Sequence, residues 1–409
     1  MYDIVKEVSE KVILVAVTTG SCEAAERSLD ELSDLVKTAG AETVARVIQE
    51  RDSIHPLTYM GTGKIDEVKT LINSLEATGI VCDDELSPTQ MKNLEDALDC
   101  KVLDRTLVIL DIFAKHATTA EGKIQVEMAQ LKYASTRLAG FGKAMSRLGG
   151  GIGTRGPGET KIETDRRQIR NRIAILNRDL KNVVRSREVT RAGREKNNMP
   201  VFAIVGYTNA GKSTFLNKLT GASVLSEDKL FATLDPTTRG LKLPSGGEIL
   251  LTDTVGFINK LPHHFVEAFK STLEEAKYAD VIIHVVDGSN EDFNEQMETV
   301  YNTLKDLKVQ GKPIITLFNK CDKGFENGIC KDANADKVIR FSAKTGEGIE
   351  AFYEAVEELQ RRDKVLVDKV IAFTEASKLQ LIRKYGQIIL EEYTEDGVHV
   401  KAYVPENMK

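Results

Sequence analysis

Long apolar runs are missing from this chain of 409 residues. None approaches the ~18 residues that a membrane-spanning helix requires, and the start, Met1-Tyr2-Asp3-Ile4-Val5-Lys6-Glu7, lacks the apolar core of a signal peptide. These absences lead to the expectation of a cytoplasmic protein without a membrane span. Cysteine is scarce too: the five residues Cys22, Cys82, Cys100, Cys321 and Cys330 are odd in number and have no C-x-x-C spacing. That spacing argues for reduced thiols and gives no zinc-binding pattern. With 41% hydrophobic and 29% charged residues, the composition is that of a globular chain. Its length suits about two to four domains with sizeable cores.

The stretch around which the chain is organised is Gly206-Tyr207-Thr208-Asn209-Ala210-Gly211-Lys212-Ser213, followed by Thr214. It fits G-x-x-x-x-G-K-[ST], with an apolar run at 201–205 before it and helix-like residues at 214–219 after it, the strand–loop–helix context this pattern needs. The glycines let backbone N–H groups wrap a phosphate chain, Lys212 reaches the β- and γ-phosphates, and the Ser213 hydroxyl is a Mg²⁺ ligand. Asp253-Thr254-Val255-Gly256 ends the strand at 249–251; its Asp can hold Mg²⁺ through water, and Gly256 can offer N–H to a γ-phosphate. Asn319-Lys320-Cys321-Asp322 and Ser342-Ala343-Lys344 end two further strands. Asp322 can accept both N–H groups on the edge of guanine, which adenine does not supply, while Asn319 and the Ala343 N–H face O6. Hydrogen bonds of this kind reject the wrong base by ~10⁴ or more. All four motifs, in order and at strand ends, specify GTP and GDP as ligands.

Between the phosphate loop and Asp253 lies the expected switch I segment, which includes Phe231, Ala232 and Thr233. Its threonines are candidate Mg²⁺ ligands and γ-phosphate sensors, with Thr238 the first choice and Thr237 the second. Lys212, Thr238 and Gly256 are the expected catalytic groups. A Gln that orients the attacking water often follows Asp-x-x-Gly, but here that position is Phe257, so intrinsic turnover should be slow.

Residues 1–115 alternate strand and helix patterns: apolar runs at 12–17, 44–48 and 80–82, and helical spacing over Leu29, Leu32, Leu35 and Val36 and again over Ile65, Val68, Leu71, Ile72 and Leu75. Ser87-Pro88-Thr89-Gln90 reads as a capped helix start. A small parallel α/β domain follows from this pattern. Its Gly61-Thr62-Gly63-Lys64 reads as a turn before a helix in preference to a second phosphate loop, since the full octet is absent.

Residues 116–198 have helical spacing on two stripes, predicting a long antiparallel hairpin with a glycine-rich connection at 139–160. From Arg137 to Lys196 there are 16 Lys/Arg against 6 Asp/Glu, although the whole chain carries −6. A solvated face is one reading; a one-sign arm suits a polyanion better. Aromatics for base stacking are nearly absent here, which favours structured RNA held through phosphates and shape. Arg147, Arg155, Arg166, Arg167, Arg170 and Arg172 are the candidate RNA contacts. Residues 199–362 form a doubly wound G domain with strands predicted at 201–205, 249–252, 281–286, 314–318 and 338–341. Residues 363–409 form a small α+β domain whose hairpin turns at Glu395-Asp396-Gly397.

Asp104-Arg105-Thr106, the segments at 109–114 and 121–127, the glycine-rich string at 149–159 and the segment at 231–239 together resemble the HflX family of translational GTPases over nearly the whole chain. The resemblance implies binding to the large ribosomal subunit and GTP-dependent separation of ribosomes into subunits, with a link to stalled or stressed ribosomes. The runner-up is a GTPase of ribosome assembly or tRNA modification; a switch that binds only protein is disfavoured by the basic hairpin. A monomer when free is the expectation. Two substitutes for the missing Gln are open: a group supplied by the ribosome, or K⁺. Asn209 resembles the Asn that binds K⁺ in some cation-dependent GTPases, and an Asn bonding its own backbone is an equal alternative. His263 and His264 are the next candidates.

Overall fold

The computed structural model describes residues 10–146, 157–196, 199–221, 230–231, 236–245, 247–260, 275–324, 330–362 and 364–405. The chain divides into two compact units: residues up to Asn182, with Leu230, Phe231 and Lys260, and the remainder from Val183 on. No described helix is long and apolar enough to cross a membrane.

The first unit runs β1(Lys11–Thr18), α1(Cys22–Ala39), β2(Glu42–Glu50), α2(Thr62–Leu75), β3(Gly79–Cys82), α3(Pro88–Leu98), β4(Lys101–Asp104) and α4(Arg105–His116). Its strands form one fully parallel sheet in the order β2-β1-β3-β4. The apolar residues 12–17 of β1 are all buried, as a strand covered on both faces demands. Ser87 and Gln90 close a capping box at α3, and Gly61-Thr62-Gly63-Lys64 opens α2, with Gly61 at the N-cap.

Next come α5(Ala120–Ser146) and α6(Pro157–Lys196). Arg172 grips Glu127 with two hydrogen bonds of 2.6 and 3.0 Å, and Arg166 donates to the Leu138 carbonyl at 3.0 Å. Partners whose numbers rise on one helix as they fall on the other make the two antiparallel. Asp104 ties α5 to the sheet. Its buried carboxylate accepts from Leu86 N, Leu107 N, the Tyr133 hydroxyl and Arg137, at 2.8–3.1 Å.

The second unit contains β5(Val201–Gly206), α7(Lys212–Thr220), β6(Thr237–Lys242), β7(Glu248–Asp253), β8(Val281–Asp287), α8(Phe293–Asp306), β9(Ile314–Asn319), β10(Lys337–Arg340) and α9(Ile349–Arg361). The sheet order is β10-β9-β8-β5-β7-β6. Five strands are parallel, and β6 pairs antiparallel with β7, so the sheet is mixed at that edge. On one face Phe215 meets Phe341 and Phe352 edge-on, each with ring centroids 5.2 Å apart. The chain ends in β11(Lys364–Ile371), α10(Ala376–Tyr385), β12(Gln387–Thr394) and β13(Gly397–Pro405), an antiparallel sheet in the order β11-β13-β12. Val398, Val400, Ala402 and Val404 point alternately inward against Leu379 and Ile382 of α10.

Candidate nucleotide site

β5, central in its sheet, delivers Gly206 to the carboxyl edge where ligands of open α/β sheets bind. Gly206 and Gly211 have φ of +152° and +95°, and an added Cβ would lie 2.2 Å from the Val285 carbonyl in the first case and 2.2 Å from the Asn319 amide nitrogen in the second. Only glycine fits both positions. The loop closes into α7, whose first residue is Lys212. The Lys212 ammonium is buried and donates to the carbonyls of Gly206 at 3.1 Å and Tyr207 at 2.8 Å. Burial lowers its pKa to about 8, with Asp253 opposing the shift.

Ser213 Oγ donates to Asp253 Oδ2 at 2.8 Å. A hydroxyl and a carboxylate brought together at a strand end are hard oxygen donors that suit Mg²⁺. Thr254 is committed elsewhere, its hydroxyl donating to the Ile204 carbonyl at 2.7 Å. Beyond buried Val255, the backbone crosses the phosphate loop: Thr208 N donates to Phe257 O at 2.7 Å, Phe257 N to Gly206 O at 3.1 Å, and Asn259 N to the Tyr207 hydroxyl at 2.7 Å. A Cβ on Gly256 would stand 2.9 Å from Thr208 Cγ2 and 3.0 Å from Lys212 Nζ. Glycine is what allows this approach.

At the base end, buried Asn319 donates to the Ala210 carbonyl at 2.8 Å and accepts from Ala343 N at 2.9 Å. This bridges the phosphate loop and the two base motifs. The Ser342 hydroxyl holds the exposed Asp322 carboxylate at 2.7 Å. That hydrogen bond is the main cause that keeps its pKa below the ordinary value. Lys320, at φ +64°, pairs with Asp287 at 2.7 Å, and Lys344 is exposed.

Thr238, the first choice for a switch I ligand, belongs to a strand. It sits on β6, where its hydroxyl lies 3.0 Å from that of Thr252, the residue before Asp253 on β7. Thr237 is beside Asp253 only in strand register. Ala232, Thr233, His263, His264, Arg147 and Arg155 lie outside the described residues. Asn209 has φ +58°, which an Asn tolerates. The Tyr207 hydroxyl contact and the Asp287–Lys320 ion pair went unread in the sequence. Only Asp287 left a trace there, as an acid ending an apolar strand.

A phosphate loop, an Asp-x-x-Gly segment laid across it, and Asn319 joined to the Ala343 N–H define a P-loop G protein. Three family profiles match the chain: "GTP-binding GTPase N-terminal" over 26–114, "GTP-binding GTPase Middle Region" over 116–194 and "50S ribosome-binding GTPase" over 201–320. A protein named GTPase HflX from Lacrimispora saccharolytica is 61% identical over 98% of this chain and 95% of its own. Its Escherichia coli namesake is 43% identical over 81% of this chain and 78% of its own. A GDP-bound GTP-binding protein from Sulfolobus solfataricus, 26% identical, aligns in structure with a TM-score of 0.45 over 86% of this chain and 98% of its own. The chain belongs to the HflX family of GTPases.

Proposed function

We propose that this GTPase binds the large ribosomal subunit in its GTP state, separates ribosomes into subunits, and leaves after hydrolysis. The observation that carries the reading is a preassembled phosphate site in a chain whose kinship includes the basic helical pair. Lys212 neutralises charge on the β- and γ-phosphates, Gly256 offers its N–H to the γ-phosphate, and Asp322 and Asn319 select guanine. Ser213 and Asp253 would hold Mg²⁺, with Thr238 or Thr233 completing the set from switch I; the ion would supply charge neutralisation at the phosphates. Asn209 is the candidate partner for K⁺.

On α6, Arg167 and Arg170 are exposed and form no ion pair among the described residues. They fit RNA phosphates. Ribosomes are expected to stimulate turnover, because Phe257 has no group that polarises water. Stimulation would be read from GTP hydrolysis with and without 50S particles, in K⁺ and in Na⁺. The test of the function is sedimentation of 70S ribosomes with the protein and a non-hydrolysable GTP analogue. Loss of the 70S peak is expected; an unchanged peak with the protein on a precursor particle would replace splitting with assembly.

A further inference from the structure

Beyond the last β5–β7 pair, Ile204 with Asp253, the two chains meet again as a parallel bridge between Tyr207 and Phe257. From Ile204 to Tyr207 the chain advances three residues and from Asp253 to Phe257 four, so the register has shifted and the bridge is more than the strands running on. Phe257 is gripped on both sides of its backbone: its N–H donates to Gly206 O at 3.1 Å, and its carbonyl accepts from Thr208 N at 2.7 Å. Two residues on, the Tyr207 hydroxyl accepts from Asn259 N at 2.7 Å, and Asn259 Oδ1 lies 2.8 Å from Thr299 Oγ of α8. Tyr207, Val255, Phe257 and Ile258 are each at most 5% exposed. Gly256, whose N–H the motif offers to a γ-phosphate, is held inside this clasp. Of the three ties to the phosphate loop, only the one to Asn259 is made by a side chain.

We propose that Tyr207 is a positioning residue for hydrolysis: its hydroxyl, through the Asn259 N–H, keeps the Asp-x-x-Gly segment seated on the phosphate loop and so fixes Gly256. The inference rests on this loop being the GTP site. A donor fixed before the reaction costs no reorganisation during it, whereas one on a loose segment must first be ordered. Tyr207 acts through the backbone of another segment and touches no reacting atom. GDP has no γ-phosphate for Gly256 to meet, so the hydroxyl serves GTP and not GDP. A role in packing would make no such distinction, because both nucleotides need the same folded loop.

Tyr207→Phe keeps the buried ring and removes the hydroxyl. Single-turnover GTP hydrolysis by the full chain should slow about tenfold in this variant, near the upper worth of one hydrogen bond, while GDP affinity stays within about twofold of the parent. Amide hydrogen exchange over residues 255–259 should quicken, as it does where a segment opens more readily. A rate equal to the parent's or above it overturns the proposal, and so does unchanged exchange over 255–259. GDP affinity that falls in step with the rate also overturns it, since the loss would then lie in the phosphate loop itself. Lys212→Ala separates the two levels of inference: if it binds and hydrolyses GTP like the parent, the site itself is misassigned, whereas a negative result at Tyr207 alone leaves the site standing.

Discussion

Asp322 shows how one hydrogen bond sets up recognition. The Ser342 hydroxyl at 2.7 Å holds the carboxylate ionised and oriented while leaving it exposed to a base. Asp322→Asn exchanges an acceptor for a donor, so the variant should lose GTP affinity and gain affinity for xanthosine triphosphate. Competition binding with the two nucleotides measures this, and equal GTP affinity in the variant would remove Asp322 from the base site. Lys212 carries a second residue-scale consequence. Its pKa near 8 comes first from burial, and the phosphates of a bound nucleotide would stabilise the charged form. The proton must be present for binding, so GTP affinity should be full below pH 8 and weaken above it, approaching about tenfold per pH unit until the pKa of the bound state is passed. Calorimetry at pH 7 and 9 should show proton uptake on binding only at the higher pH. No uptake at pH 9 would mean that the ammonium is already fully charged there.

The elements differ in how openly the sequence announced them. β1, β5, β8 and β9 are buried on both faces and read as continuous apolar runs, whereas β6, with the sequence Thr-Thr-Arg-Gly-Leu-Lys, buries only Leu241 and has no such signature. Because an edge strand needs only one covered side, the strand that holds Thr237 and Thr238, the two switch I candidates, has no pattern to predict it. β4 was hidden for another reason: it is four residues long, and one of its two buried side chains is the charged Asp104. The phosphate and base motifs were legible because their backbone demands restrict each position to one or two residue types. The network behind them was not, since its members come from separate elements. His284 on β8 lies 3.3 Å from the Tyr301 hydroxyl of α8, and Asp332 accepts from Tyr301 and from Thr316 of β9. Burial lowers the His284 pKa from 6.5 to about 4, with Lys212 adding to the shift and Asp332 opposing it. Unfolded chains take up the proton below pH 6.5 while the folded imidazole stays neutral to about 4, so this stability is complete above pH 6.5 and is lost as the pH falls to about 4. Between pH 6.5 and 5 the loss should be about 2 kcal/mol. Urea titrations at these two pH values should show a smaller loss in His284→Gln; the same loss in both proteins would assign the acid sensitivity to other groups.

For the whole molecule, charge separates the basic arm from an acidic remainder, and the described residues divide the arm's arginines into two kinds. Arg172 and Arg166 are engaged with Glu127 and Leu138 O, so they hold α6 against α5. Arg167 and Arg170 reach solvent from the same stretch, and among the described residues their side chains make one hydrogen bond, Arg170 Nε to the Arg166 carbonyl at 3.3 Å. Replacing Arg172 therefore removes a helix–helix contact along with a charge, and a loss of ribosome affinity in that variant has two explanations. The double variant Arg167→Gln, Arg170→Gln has one. Each phosphate contact contributes about 0.7–0.9 to the slope of log affinity against log salt, so loss of two should flatten that slope by about 1.5 in binding to 50S particles. The thermal midpoint should not change, because neither side chain supports the core. A lower affinity with an unchanged slope would mean that these arginines meet ribosomal protein, while an unchanged affinity would move the RNA contact to another part of the arm.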